Sequence, residues 1–161
     1  MTPTLPQLLR ELQSARKSGL FEALRLGAST HRLALSFVLA IASRETGIRN
    51  IEGDGGHGRG VLQIDDRSHE IARTTDFANA PEVLVLYGCE MLASNIEWAK
   101  RLRPGYSPDQ YLKMASSAYN CGRGGVLKAL ASGDCDARTT GHDYGADVLK
   151  RMDGFAQLLS R

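Results

Sequence analysis

Apolar residues recur every three or four positions at the start of the chain, which predicts an amphipathic helix. Leu5, Leu8, Leu9 and Leu12 occupy the i, i+3, i+4 and i+7 positions of one helical face. Gly19 is expected to end or interrupt this helix, because glycine is a poor helix former.

The segments that follow predict a helix, a loop and a strand, in that order. The helix should begin near Ser29 or Thr30, which are both good N-cap residues, and run to about Glu45. Residues 46–60 contain six glycines and little apolar surface, so we expect a loop. The apolar run at residues 61–65 predicts a short strand.

The remainder of the chain is predicted to be helical, with a turn at residues 120–125. Helices are expected from residues 79–82 to the Pro104–Gly105 stop, from the Ser107–Gln110 capping box to about Tyr119, over 126–132, and over 144–159. The fold class is therefore predicted to be α+β and mainly helical, with one small β element near the middle of the chain.

Length and composition indicate one globular domain. The chain has 161 residues, of which 42% are hydrophobic and 24% charged, which excludes disordered, collagen-like and coiled-coil classes. We expect residues 1–28 to form a helical extension packed on a domain covering residues 29–161. The net charge of +2 gives no argument for nucleic-acid binding but is compatible with an anionic polymer as substrate.

Neither a membrane span nor a signal peptide is predicted. The longest apolar stretch, residues 33–42, is too short to cross a bilayer and lies too far from Met1 to be a leader. Cys89, Cys121 and Cys135 are widely spaced, so a zinc ribbon is not indicated. One disulfide with a free thiol, or three reduced thiols, both agree with this pattern.

Glu45 is a candidate general acid because of the face on which it lies. Ala34, Val38, Ile41 and Glu45 are spaced 4, 3 and 4 residues apart, which places them on one side of a helix. A carboxyl group against apolar surface has a raised pKa, as a general acid requires. The alternative is an exposed helix-end residue paired with a neighbouring arginine.

The glycine-rich loop adds two aspartates to this chemistry. Asp54 lies in the loop and Asp65 ends the predicted strand, on which Gln63 and Asp65 would point to the same side. One protonated acid together with ionised aspartates that hold a water molecule is the equipment of an inverting glycoside hydrolase. A flexible surface loop without chemistry is the alternative.

Other site types agree poorly with the sequence. Residues 53–58 match G-x-G-x-x-G, but a strand rather than a helix is predicted to follow. His69 and Glu70 begin an H-E-x-x-H pattern in which Arg73 replaces the second histidine, so a zinc protease is excluded. We predict neither a metal nor a cofactor.

Four segments together resemble the signature of the goose-type lysozyme family. They are S-R-E-T at 43–46, G-D-G-G-H-G-R-G-V-L-Q-I-D-D-R-S-H at 53–69, A-Y-N-C-G at 118–122 and T-T-G-H-D-Y-G-A-D-V at 139–148. The first and third are similar to segments of soluble lytic transglycosylases as well, whereas the second and fourth point to the goose type. The four segments span about two thirds of the chain.

This resemblance implies a lysozyme-like fold with a small β element beside an active-site cleft. By position, Glu45 resembles the general acid, and Asp54 and Asp65 resemble the aspartates that orient the attacking water. The residues that resemble substrate-binding cleft residues are Gln63, His69, Tyr119, Asn120 and Tyr144. Core packing for Tyr119, turn formation for Asn120 and a surface or capping role for His69 stay open as alternatives.

The chain departs from the goose-type pattern at two places near the candidate acid. Thr46 stands where the family usually has serine, which keeps a hydroxyl group. The stretch between Glu45 and Asp54 looks shorter than in the bird enzymes, so Asp65 is expected to be the more dependable water-orienting residue.

The function implied by the resemblance is hydrolysis of the β-1,4 bond between N-acetylmuramic acid and N-acetylglucosamine in peptidoglycan, with inversion. The alternatives are a lytic transglycosylase, which leaves 1,6-anhydromuramic acid ends, and a non-catalytic peptidoglycan-binding module. Besides glycan strands, an inhibitor or immunity protein is a conceivable partner, and the protein is expected to be a monomer. We expect it to act on the bacterial cell wall as a phage or effector enzyme, or after export by a route other than a signal peptide.

Overall fold

The computed structural model describes residues 1–161 and contains seven α-helices and one small sheet. The helices are α1 (Leu5–Ser18), α2 (Leu20–Thr30), α3 (Leu35–Thr46), α4 (Glu70–Thr74), α5 (Pro81–Leu102), α6 (Pro108–Leu130) and α7 (Tyr144–Leu159). The strands are β1 (Glu52–Gly53), β2 (Gly58–Arg59) and β3 (Ile64–Asp65). The predicted α+β, mainly helical class is confirmed. None of the helices combines the length and apolar character needed to cross a membrane.

The core is built around α3. Every residue from Phe37 to Ser43 is buried, so this helix is enclosed on all sides. It packs against α7 and α2, and α5 packs against α2 and α6. A smaller apolar cluster, which includes Met114 and Val126, fills the space between the end of α5 and α6. The last turn of α3 emerges from this core beside the sheet.

The sheet is antiparallel and lies between α3 and α4 in the chain. Gly58 pairs with Gly53 on one side and with Asp65 on the other, which gives the order β1-β2-β3. The predicted strand at 61–65 was wrong in extent, because only its last two residues belong to β3. Val61 and Leu62 are both buried, and the chain then reverses at Gln63, which has a φ of 51°.

Two predicted helix boundaries were also wrong. No helix begins at Ser29 or Thr30, because those residues end α2 and the next helix starts at Leu35 after a left-handed residue, Arg32. The helices predicted to end near Tyr119 and to cover 126–132 are one helix, α6, and within the predicted turn at 120–125 only Gly122 departs from helical geometry, with a φ of 75° and a ψ of 159°. The Ser107 capping box and α7 are confirmed.

Residues 1–28, predicted to be a helical extension, form α1 and most of α2 and contribute to the core. Leu8 and Leu12 of α1 are almost fully buried, and α1 contacts α2 and α7. The Ser43 hydroxyl of α3 donates to Glu11 of α1 at 2.5 Å, and the Thr2 hydroxyl donates to Asp147 of α7. The division at residue 28 stays a prediction. All three cysteines are free thiols.

Candidate active site

Glu45 occupies the last turn of α3, where the helix leaves the core. Gly47 ends the helix in a left-handed conformation with a φ of 63°. Val38 and Ile41, on the same helical face as Glu45, are fully buried, so the carboxyl group adjoins apolar surface. Burial raises the pKa of Glu45 above its ordinary value, and the hydrogen bonds and charges around it offset only part of that effect. This half-buried acid therefore holds its proton more readily than a solvated glutamate does.

Tyr144 and Arg44 stand behind Glu45. The Tyr144 hydroxyl donates a hydrogen bond to Oε1 of Glu45. Burial raises the pKa of Tyr144 well above its ordinary value, so the phenol keeps the proton that it donates. The Arg44 guanidinium lies 5.3 Å from the centre of the Tyr144 ring and pairs with Asp143 at 3.1 Å and Asp147 at 2.8 Å. The predicted alternative, an exposed Glu45 paired with Arg44 or Arg49, is wrong: Glu45 is half-buried, Arg44 pairs with these aspartates, and Nε of Arg49 donates to the Thr46 carbonyl at 2.8 Å.

Asp54 and Asp65 share one arginine, Arg67. A single terminal nitrogen of Arg67 lies 2.6 Å from Oδ2 of Asp54 and 2.8 Å from Oδ2 of Asp65. The hydrogen bonds from Arg67 lower the pKa of Asp65 to about 2. Both carboxylates are accessible to solvent, with side-chain exposures of 67% and 38%. The result is a surface pair of carboxylates, of which Asp65 is held firmly in its ionised form.

Gln63 is fixed by the backbone of the glycine-rich loop. Its amide nitrogen donates to the carbonyl oxygens of Ile51 at 3.0 Å and Gly60 at 2.8 Å. Its amide oxygen lies so close to Gly53 and Gly58 that a Cβ atom on either would approach it to 2.2 Å. These glycines therefore make room for the Gln63 side chain. Gln63 and Asp65 do line the same cleft as predicted, although Gln63 lies in a turn rather than in a strand.

The remaining predicted residues connect the walls of the cleft. The Tyr119 hydroxyl donates to the carbonyl of Leu62 at 2.7 Å, which ties α6 to the loop. Nδ1 of His69 is 2.8 Å from the Tyr87 hydroxyl of α5. The backbone N–H of Thr140 donates to Oδ1 of Asn120 at 2.9 Å, which joins α6 to the segment before α7.

These residues surround one open cleft of about 430 Å³. Seven of the eight predicted site residues line it, namely Glu45, Asp54, Gln63, Asp65, His69, Tyr119 and Asn120. Tyr144 is only 2% exposed and reaches the site through Glu45 rather than through the cleft wall.

Three residues that shape the site were not predicted from the sequence, namely Met91, Thr140 and Arg67. Met91 and Thr140 line the cleft from α5 and from the segment before α7. Arg67 stands two residues after Asp65, within the second of the four segments that resemble the goose type. That spacing was the available signal for its pairing with Asp65, whereas its contact with Asp54 depends on the fold of the loop.

Comparisons with known proteins identify the family to which the chain belongs. The family model described as Lysozyme g matches residues 22–157. The chain belongs to the lysozyme g family. It is 34% identical to a lysozyme g of Struthio camelus over 124 residues, which is 74% of this chain and 57% of that protein. It is 36% identical to a lysozyme g of Takifugu rubripes over 128 residues, which is 73% of this chain and 64% of that protein.

The lysozyme g relatives are longer than this chain. The chain spans 57% of the length of the Struthio camelus protein and 56% of that of the Gallus gallus lysozyme g, to which it is 33% identical over 74% of its own length. The family match begins within α2, so α1 lies outside it. Three or more histidine, cysteine, aspartate or glutamate side chains suited to a metal ion do not come together anywhere in the structure.

Proposed function

We propose that this lysozyme g family member is a muramidase that hydrolyses the β-1,4 bond between N-acetylmuramic acid and N-acetylglucosamine in peptidoglycan. The observation that carries the proposal is that one cleft contains a carboxyl group whose pKa is raised and another whose pKa is lowered. Glu45 is half-buried and its pKa is raised by burial, whereas Asp65 on the sheet side is held ionised by Arg67. One group that gives a proton and one that carries negative charge are what glycoside hydrolysis with inversion requires.

In this proposal Glu45 donates its proton to the glycosidic oxygen as the bond to C1 of muramic acid breaks. The Tyr144 hydroxyl donates to Oε1 and therefore stabilises the carboxylate that Glu45 becomes. Water held by Asp65 or Asp54 attacks C1 from the opposite side, and as the new C1–O bond forms its proton leaves through that aspartate to the solvent, while Glu45 remains ionised until it is reprotonated. Because the pKa of Asp65 is about 2, this carboxylate mainly orients the water and stabilises positive charge at C1.

The substitution Glu45→Gln tests the proposal, because it keeps the shape of the side chain and removes the transferable proton. We expect lysis of purified cell walls to fall by about 10²–10⁴-fold, the contribution typical of a general acid. Glu22→Gln is the matched control, since Glu22 is an exposed carboxylate on α2. Near-normal lysis by Glu45→Gln, with both variants folded by circular dichroism, would refute the assignment. Wall binding without turnover by the unmodified protein would indicate the binding module instead.

A lytic transglycosylase is the second candidate, favoured by the engagement of both aspartates with Arg67. In that reaction the C6 hydroxyl of muramic acid replaces water as the nucleophile, and Glu45 acts as acid and then as base. The 1,6-anhydro product is lighter by one water than the hydrolysis product. Mass spectrometry of digested walls therefore distinguishes the two reactions.

The proposed substrate places the site of action at the bacterial cell wall. We propose that the protein is a monomer. The expected state is a single species of about 17.5 kDa, which light scattering on a gel-filtration column would test. The export or release route and the inhibitor or immunity partner stay predictions.

A further inference from the structure

A second cleft adjoins the one that contains Glu45. It has a volume of about 310 Å³ and is lined by Tyr87, Glu90, Met91, Ser94, Asn95 and Arg123. Met91 lines both clefts, and the hydrogen bond between His69 and Tyr87 links a wall of one to a wall of the other. A linear polymer bound at Glu45 and running in this direction would pass from the first cleft into the second.

Arg123 is held rigidly in this second cleft. The helical break at Gly122 precedes it, and its guanidinium lies 5.5 Å from the centre of the Trp98 ring. Its Nε donates to Oδ1 of Asn95 at 3.0 Å, and one terminal nitrogen donates to the Ser94 hydroxyl at 2.7 Å. Asn95 is itself buried, so the guanidinium has a fixed orientation.

The charge of Arg123 is left without a counter-ion. Both of its hydrogen-bond partners are uncharged. A guanidinium carries five N–H donors, of which these two bonds use two. Glu90 lines the same cleft but is exposed and does not pair with Arg123. A pre-oriented, unneutralised guanidinium with free donors is suited to a carboxylate, which it binds through two parallel hydrogen bonds.

We propose that the second cleft is a carboxylate-binding subsite in which Arg123 recognises a free carboxylate of the peptide attached to a muramic acid residue. The proposal rests on the proposed function, because the glycan strand positions that peptide. It gives the protein a preference for walls whose peptides carry free carboxylates, at a position beyond the bond that is cleaved.

Amidation of the substrate tests this without altering the protein. The probe is one preparation of purified peptidoglycan, used directly or after carbodiimide coupling of its carboxylates to ammonia. We expect kcat/KM of the unmodified protein to fall by about 10-fold or more on the amidated wall, as for loss of one charge-assisted hydrogen bond. An unchanged kcat/KM would overturn the proposal.

Two variants separate recognition by Arg123 from general attraction between charges. Arg123→Gln should be slower on the untreated wall and indifferent to amidation. Lys128→Gln removes the same charge from an exposed position of the same helix, outside both clefts, and should keep the full sensitivity of the unmodified protein. Equal sensitivity of the two variants would refute a specific role for Arg123.

Failure of the proposed function is distinguishable from failure of this subsite. Co-sedimentation of Glu45→Gln with untreated and amidated walls measures binding without cleavage. The subsite is supported if Glu45→Gln binds the amidated wall more weakly than the untreated wall and if this difference disappears when Arg123→Gln is added. That result holds even if the unmodified protein cleaves neither wall. Equal binding of Glu45→Gln to both walls would contradict it.

Discussion

Asp147 is the buried charge on which the region behind the candidate acid depends. It is 2% exposed and accepts hydrogen bonds from Arg44 at 2.8 Å, from Arg151 at 2.7 Å and from the Thr2 hydroxyl. Asp147→Asn keeps the size of the side chain and removes its charge. Of its two carboxylate partners Arg44 would keep only the exposed Asp143, and Arg151, itself 8% exposed, would lose its only paired carboxylate.

The cost follows from burial. Removing one member of a buried ion pair destabilises a protein by about 3–5 kcal/mol, because the other charge is left without compensation. For a chain of this size each kcal/mol lowers Tm by about 2–4 °C, so a fall of roughly 6–20 °C is expected. Glu97→Gln is the control, because Glu97 pairs with Lys100 at the same 2.8 Å but with 60% of its side chain exposed. That change should cost less than about 1 kcal/mol.

Urea unfolding across a pH series measures both parts of this prediction. Burial acts against ionisation of Asp147, but the hydrogen bonds from Thr2, Arg151 and Arg44 outweigh it and hold its pKa below the ordinary value of 3.8. Its contribution is therefore present above that value and is lost as the pH falls through the lower pKa of the folded state. Asp147→Asn should lack this acid-dependent loss. A destabilisation below about 1 kcal/mol at neutral pH would refute the reasoning.

Two further substitutions test the electrostatics of the cleft. Tyr144→Phe removes a hydrogen bond that lowers the pKa of Glu45, so that pKa should rise and the alkaline limb of the activity profile should move to higher pH, and an unmoved limb would contradict the contact. Arg67→Gln should let the pKa of Asp65 rise from about 2, so that activity measured between about pH 3 and 5 declines at a higher pH than in the unmodified protein. Because the side chains of Arg67 and Asp65 are exposed, Arg67→Gln should change Tm little. An activity profile of Arg67→Gln identical to that of the unmodified protein would show that the ionisation of Asp65 is not required.

The helical parts of the fold followed from local signals. The Ser107 capping box and the 3.6-residue periodicity of the later helices are properties of short segments, and they predicted α5 and α7 closely. The start of α3 did not follow, because Thr30 uses its hydroxyl to bond the Leu26 carbonyl at the end of α2 instead of capping a new helix. Sequence alone does not indicate which of two helices a polar residue will serve.

The site was predicted more fully than the contacts that position it. Glu45 and Asp65 could be found because an apolar face and a recognisable motif marked them. The turn at Gln63 could not, because the apolar run predicts a strand there, whereas Val61 and Leu62 are both buried and Gln63 adopts a left-handed φ of 51°. The contact between Arg67 and Asp54 joins residues 13 positions apart and exists only because the loop folds back.

Two glycines of the glycine-rich loop leave the space that the side-chain amide of Gln63 occupies. Gly53 and Gly58 are close to the Gln63 side chain, whereas nothing lies within 4 Å of the space that a Cβ on Gly55 would occupy. In a library of variants, neighbouring glycines would therefore differ sharply in tolerance. A Cβ at position 53 or 58 would displace the Gln63 amide and its two hydrogen bonds to the loop, while position 55, with its φ of 63°, would accept asparagine, a residue that adopts left-handed backbone more readily than most. An engineer who wished to alter this wall of the cleft would begin at residue 55.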